Sequence, residues 1–188
     1  MITATETSPT TFLTAEEFMH LGDEVCGELI RGVFCEMPKP GMRHGQLALR
    51  LGAKLFNHVD ERQIGTVVGE VGVLLERDPD TVRAPDAAFI SHDRLPKGSV
   101  PARYDETIPE LVVEVVSPSD RHADVRDKAR MWLSFGVQLV WVVFPVERTV
   151  EVHRADVDAA QTLTEADSFD GGSVLPGFSY PLSQLFAD

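Results

Sequence analysis

The sequence predicts an α/β domain whose sheet has protein on both faces, and three stretches predict it. In residues 109–120, PELVVEVVSPSD, the strand formers Leu111, Val112, Val113, Val115 and Val116 run without alternation, as in a strand that meets solvent on neither side. In residues 43–61, Leu47, Leu51, Leu55 and Val59 recur every four positions with Ala48 and Phe56 beside them, the apolar stripe of an amphipathic helix. Residues 66–76 alternate as a strand, DPDTV turns the chain, and RAPDAAFIS returns it as an antiparallel neighbour. With 188 residues, 43% of them hydrophobic, the chain can bury the core of a single domain spanning 1–188.

Taken in order, residues 1–11 are polar and are expected to form a flexible tail. Thr14 opens a short helix through a capping box with Glu17, Leu13 and Phe18 are placed as a hydrophobic staple, and Gly22 is the stop. GELIRGVFCEM reads as a hairpin around Arg31-Gly32 in which Glu28 faces Cys35. Gly65 is expected to end the 43–61 helix. In the strand that follows, Val67, Val71, Val73 and Leu75 share one side, and Val68, Glu70 and Leu74 the other. The polar run 92–107 is long for a plain connection, and loops of that length often carry binding contacts. After the central strand, Ser119 or Asp120 is expected to cap a helix that reaches Phe135 and ends at Gly136. VQLVWVVF reads as a second buried strand and TVEVHR as a half-exposed one. Residues 154–172 read as an acidic surface excursion, and VLPGFSYPLSQLF as an apolar segment closing over the core.

A net charge of −13 argues against broad attraction to nucleic acid, since phosphate contacts supply most non-specific affinity. Bases nevertheless gather at Lys39, Arg43, Arg50 and Lys54, with no acid among them, and at Arg94, Lys97 and Arg103 against Asp93; solvated faces are the commoner meaning of such runs. The first residues carry Glu6 and no basic run, and the longest nearly apolar stretch, 137–146, contains Gln138 and Pro145. Neither a signal peptide nor a membrane span is expected, and a cytoplasmic protein is. Cys26 and Cys35 lack a metal-ligand spacing and read as small, reduced core residues. No GxSxG elbow, P-loop, HExxH or Rossmann glycine pattern is present.

Carboxylates set among apolar residues mark the candidate chemistry. Glu114 interrupts the central valines, and a buried ionised group costs several kcal/mol unless paired, hydrogen-bonded or metal-bound. Asp86 lies in the apolar stretch Ala84 to Ile90, where Pro85 removes a ladder bond and suggests an edge or a bend. Two carboxylates brought together repel, and a divalent cation removes that penalty; magnesium suits oxygen ligands and accepts others from water or phosphate. Lys128 completes the set by arithmetic. It lies about 12 Å along a helix that packs back from Asp120, and Glu114 lies roughly 10 Å back from Ser117 along its strand, so the two come to the same height. Asp86 and Glu114 then hold magnesium, and Lys128 orients a water or offsets phosphate charge. Glu70 is the better candidate for an extra ligand or base if its strand adjoins that of Asp86. Glu28 is a possible accessory group or a structural acid, and His44 touches phosphate or the acids, or serves as a helix-cap or core histidine. The bland alternatives are a strand-end Glu114 bonded to an Arg and an ordinary surface Lys128.

These residues resemble the PD-(D/E)XK nuclease superfamily, and within it the Uma-type restriction endonucleases. GELIRGVFCEMPKPGMRHG, GEVGVLLERDPDTVRAPDAAFIS, PELVVEVVSPSDR, DKARMWLSFGVQLVWVV and VLPGFSYPLSQLF carry the likeness over nearly the whole chain. The resemblance implies a restriction endonuclease-like mixed sheet flanked by helices, magnesium-dependent DNA cleavage with Mn2+ able to substitute, and frequently a homodimer. The superfamily lysine two residues after the acid is replaced by Val116; in the Uma-type group a lysine on the next helix takes that role, here Lys128. A dimeric binding or scaffold protein whose acids make internal hydrogen bonds is the alternative from another class, and hydrolysis of a smaller phosphoester is a third.

Overall fold

Alternation along the central strand sets the architecture. In the computed structural model, which describes residues 12–21 and 25–187, β7 (Leu111–Val115) sends Leu111, Val113 and Val115 to one face and Val112 to the other. The first face packs on Leu47, Leu51, Leu55 and Val59 of α2 (Met42–Arg62), each worth roughly 1.5–3 kcal/mol over leaving it exposed. The second packs on Ala129 and Trp132 of α3 (His122–Ser134). β8 (Leu139–Phe144) repeats the division and pairs in parallel with β7, because α3 carries the chain back across the sheet.

The six-stranded sheet runs β10 (Val157–Leu163), β9 (Thr149–Arg154), β8, β7, β6 (Ala87–Ser91), β3 (Gly65–Val68). Its other pairings are antiparallel, so the sheet is mixed and flanked by helices, as the sequence predicts. A four-stranded sheet, β2 (Val33–Glu36), β1 (Gly27–Ile30), β5 (Thr81–Arg83), β4 (Val73–Glu76), packs on Phe18 of α1 (Ala15–His20) through Leu29, Leu74 and Val82. Both halves of the Thr14–Glu17 capping box are present, and the predicted hairpin pairs Glu28 with Cys35. β11 (Ser168–Gly171), β12 (Leu175–Pro181) and α4 (Leu182–Leu185) close the α2 face. No described helix is long and apolar enough to cross a membrane. The expected tail at 1–11 and the Gly22 stop lie outside the described residues.

Several elements differ from expectation, each for a local reason. Residues 66–76 form two strands in different sheets, because Glu70 takes a left-handed φ of 52° and a side chain at Gly72 would meet the Tyr104 ring at 2.4 Å. The 83–91 strand likewise divides at Ala84-Pro85-Asp86, which places Asp86 at a bend between β5 and β6. Gln63, left-handed at φ 52°, caps α2 instead of Gly65, which opens β3 where a Cβ would lie 2.3 Å from the Ile90 carbonyl oxygen. Arg121 stands at the N-cap of α3 with no side-chain cap, since the Asp120 carboxylate accepts from the Ser117 amide at 2.7 Å. β9 is buried on both faces, with Glu151 held by Arg126. Within 154–172 the chain forms β10 and β11, anchored by Leu163 and Phe169. Cys26 is exposed and Cys35 half-buried, the latter on the edge strand β2, and Phe56 is 54% exposed.

Phe169, fully buried, meets Trp141 edge-on at 4.6 Å between ring centroids and lies 5.9 Å from Tyr180. Phe169→Ala is therefore expected to cost about 3–5 kcal/mol in urea denaturation, and a loss below about 1 kcal/mol would show that 154–172 is not part of the core.

Candidate active site

The register of the sheet brings the two acids together. β6 and β7 pair Ala87 with Val113 and Ala88 with Val112, so one further step sets Asp86 opposite Glu114, on the same side of the sheet. That side is the α3 side, because Glu114 alternates with Val112 and Val116. The Val115 amide donates to Asp86 Oδ2 at 2.6 Å and fixes the carboxylate beside β7. His44 Nε2, from the first turn of α2, lies 3.2 Å from the same oxygen. Asp86 keeps 17% of its side chain exposed, and its other oxygen has no partner among the described residues.

Glu114 is buried and doubly held from α3. The Trp132 indole N–H donates to Oε1 at 2.7 Å, and Lys128 Nζ lies 3.0 Å from each carboxylate oxygen. Lys128 also lies 3.0 Å from Glu28 Oε1 and donates to the Ala84 carbonyl at 3.3 Å. Glu28 in turn accepts from the Ala84 amide at 3.1 Å and pairs with Arg83. The β1–β5 register, with Leu29 opposite Val82, makes Glu28 and Arg83 cross-strand neighbours. A chain of alternating charges thus runs from Arg83 through Glu28 and Lys128 to Glu114.

Electrostatics mark Glu114 as the strained member. Burial pushes its pKa up, the Lys128 ammonium pulls it down, and the Asp86 carboxylate pushes it up again, to about 7. Lys128 would lose its charge to burial, but Glu114 and Glu28 outweigh that and raise its pKa, so it stays an ammonium. Burial also works against the His44 imidazolium, yet the hydrogen bond and charge of Asp86, helped by Asp120 and Glu114, raise its pKa. His44 Nδ1 is buried with no partner among the described residues.

Glu28, His44, Glu70, Asp86, Glu114 and Lys128 all line one cavity of about 1160 Å3. Glu70 lies just past the end of β3, the neighbour of β6, and its amide donates to the Pro85 carbonyl at 3.0 Å. It is exposed at the rim, and its carboxylate is unpaired among the described residues. Hard oxygen donors from Asp86 and Glu114 match what magnesium takes, and a cation between them would offset both the burial and the Asp86 repulsion that raise the Glu114 pKa. No group of three or more His, Cys, Asp or Glu side chains among the described residues is already spaced as a ligand set. The remaining ligands would come from water and phosphate oxygens.

Trp132 and Arg83 complete the network without having been singled out in the sequence as polar partners. Trp132 stands four residues after Lys128 on one helix face, which is a readable signal. Arg83 depends on the β1–β5 pairing and leaves none.

The folded Glu114 pKa of about 7 lies above its ordinary 4.5. Its protonation therefore favours the fold fully below about pH 4.5, and this contribution is lost as pH rises through about 7. Lys128→Met leaves Glu114 without its ammonium and is expected to cost about 3–5 kcal/mol at pH 8, and less at pH 5, where Glu114 takes up a proton. Urea denaturation at both pH values checks this, and an equal cost at the two would contradict it.

Comparison with known proteins bears on the fold and the family. A crystal structure described as "a putative nuclease belonging to DUF820" from Anabaena variabilis superposes with a TM-score of 0.80 at 21% identity, over 93% of this chain and 97% of that one. At that identity the likeness is one of fold. No curated protein matches. The sequence profile of the Uma2 family, described as "Putative restriction endonuclease", matches residues 15–183, and the chain belongs to that family.

Proposed function

We propose that this protein is a magnesium-dependent endonuclease that hydrolyses phosphodiester bonds in DNA. The observation that carries the proposal is the convergence of Asp86, Glu114 and Lys128 on one cavity, with the ammonium 3.0 Å from the buried carboxylate. Asp86 and Glu114 would hold magnesium, or manganese in its place, with Glu70 reaching in from the rim. The ion supplies Lewis acidity toward a phosphoryl oxygen and makes a water more acidic.

The chain's own groups do the rest. His44 and the Val115 amide hold Asp86 Oδ2, leaving the other oxygen without a partner among the described residues. Trp132 fixes Glu114 Oε1 in the same way. Lys128 keeps its proton, and Glu28 and the Ala84 carbonyl anchor it independently of Glu114. Its ammonium can therefore turn part of its bonding toward the attacking water or the charge that builds on the phosphorane. Glu70, unpaired at the rim among the described residues, would serve either as the further ligand or as the base that takes the proton the water loses. Water's oxygen bonds to phosphorus, the bond to the leaving oxygen breaks, and that oxygen takes its proton from solvent water.

One observation favours a second reading, a binding or scaffold protein on a nuclease fold. Both Glu114 oxygens already have partners in Lys128 and Trp132, which a purely structural acid would also show. Incubation with supercoiled plasmid and with circular single-stranded DNA separates the two. Wild type is expected to cleave one or both with Mg2+ or Mn2+ and neither with EDTA. Asp86→Ala, Glu114→Ala and Lys128→Ala should each lose at least about 100-fold, with folding checked by circular dichroism, and Glu70→Ala should lose less. Metal-independent background alone, or folded variants as active as wild type, would sink the hydrolase.

A further inference from the structure

We propose that the cavity takes an unpaired stretch of nucleic acid rather than a duplex, a substrate preference that rests on the nuclease reading above. Its phosphates would lie on Lys39, Arg103 and Arg121, and its base faces on an apolar rim.

The cations come first. Lys39 precedes α2, Arg103 belongs to the 92–107 loop, and Arg121 stands before α3, so three separate segments bring a base to one mouth. None of the three makes an ion pair or side-chain hydrogen bond among the described residues. Arg77, Arg83, Arg94, Arg126, Arg130 and Arg154, by contrast, are paired with acids. Glu70, Asp105, Asp120 and Asp124 line the same cavity, so in a chain of net charge −13 these three unpaired cations are its points of attachment for a polyanion.

The apolar rim distinguishes one polyanion from another. Val25, Met37, Val71 and Val100 line the same cavity and are 37%, 39%, 37% and 56% exposed. A duplex presents phosphate and sugar outward and keeps its base faces stacked inside, so these side chains would lose water without gaining a partner. Unpaired bases expose flat apolar faces that need such a surface. Depth points the same way. Glu114 and Lys128 lie at the buried floor, where a phosphate on a flexible single strand can be drawn in and one on a rigid cylinder is held off. At about 1160 Å3 the cavity also exceeds the ~300–1,000 Å3 common for small-ligand sites, as a polymer segment requires.

The test is fluorescence anisotropy in EDTA with the full chain carrying Glu114→Gln, which removes a charge from the floor and prevents cleavage. The probes are a single-stranded DNA of about 15 nucleotides and the blunt duplex of the same sequence. The single strand is expected to bind at least about tenfold more tightly at equal salt. Adding Lys39→Ala with Arg103→Ala should reduce the slope of log K against log salt by about 1.4. Adding Val71→Ser with Val100→Ser should weaken binding about tenfold and leave that slope unchanged. Equal or tighter binding of the duplex overturns the proposal, as does no binding of either probe or variants that bind like their parent. Wild-type plasmid cleavage without single-strand preference would leave the nuclease standing and remove this inference; single-strand preference without metal-dependent cleavage would do the reverse.

Discussion

A single carboxylate placed against a helix governs how this molecule is arranged around its cavity. Glu114 interrupts a valine strand on the face that α3 covers, and α3 answers it with Lys128 and Trp132, four residues apart. Burying an ionised carboxylate costs several kcal/mol, so the helix must sit where its ammonium and indole N–H reach that position. The parallel β7–β8 crossover puts it there. The remaining carboxylates then take their places around the ammonium: Glu28 on its far side, Asp86 across the strand.

The same arrangement leaves Glu114 under electrostatic strain, the feature on which the proposed metal site rests. Arg83, Glu28 and Lys128 satisfy one another, while burial, only partly offset by the Lys128 ammonium and reinforced by the Asp86 carboxylate, raises the pKa of Glu114 to about 7. The second carboxylate, Asp86, is held by the Val115 amide and His44, and the proposed phosphodiester substrate would draw on the oxygen donors at the cavity floor and the cations at its mouth.

Much of this is legible from residue order. The height of Lys128 follows from helix rise and strand rise, and the structure sets it 3.0 Å from Glu114. Pro85 announces the bend at which Asp86 stands, its amide still donating to the Val113 carbonyl at 3.1 Å. What escapes the sequence depends on partners distant in the chain. The division of 66–76 comes from Tyr104 lying against Gly72, and the burial of Glu151 from Arg126 on α3. In β10 only Leu163 is buried, so periodicity there has almost nothing to report, and the strand is held by pairing with β9. For His44 the sequence leaves contact with phosphate or the acids beside a cap or core role, and the structure sets it 3.2 Å from Asp86.

Asp86 and Glu114 are proposed to share a divalent cation. Crystals soaked in Mn2+ at pH 8 and measured at the manganese absorption edge decide whether they do. An anomalous peak is expected between the two carboxylates, with the Lys128 ammonium drawn off one Glu114 oxygen and still on Glu28. A map with no peak there, and with the Lys128–Glu114–Trp132 contacts unchanged, would contradict it.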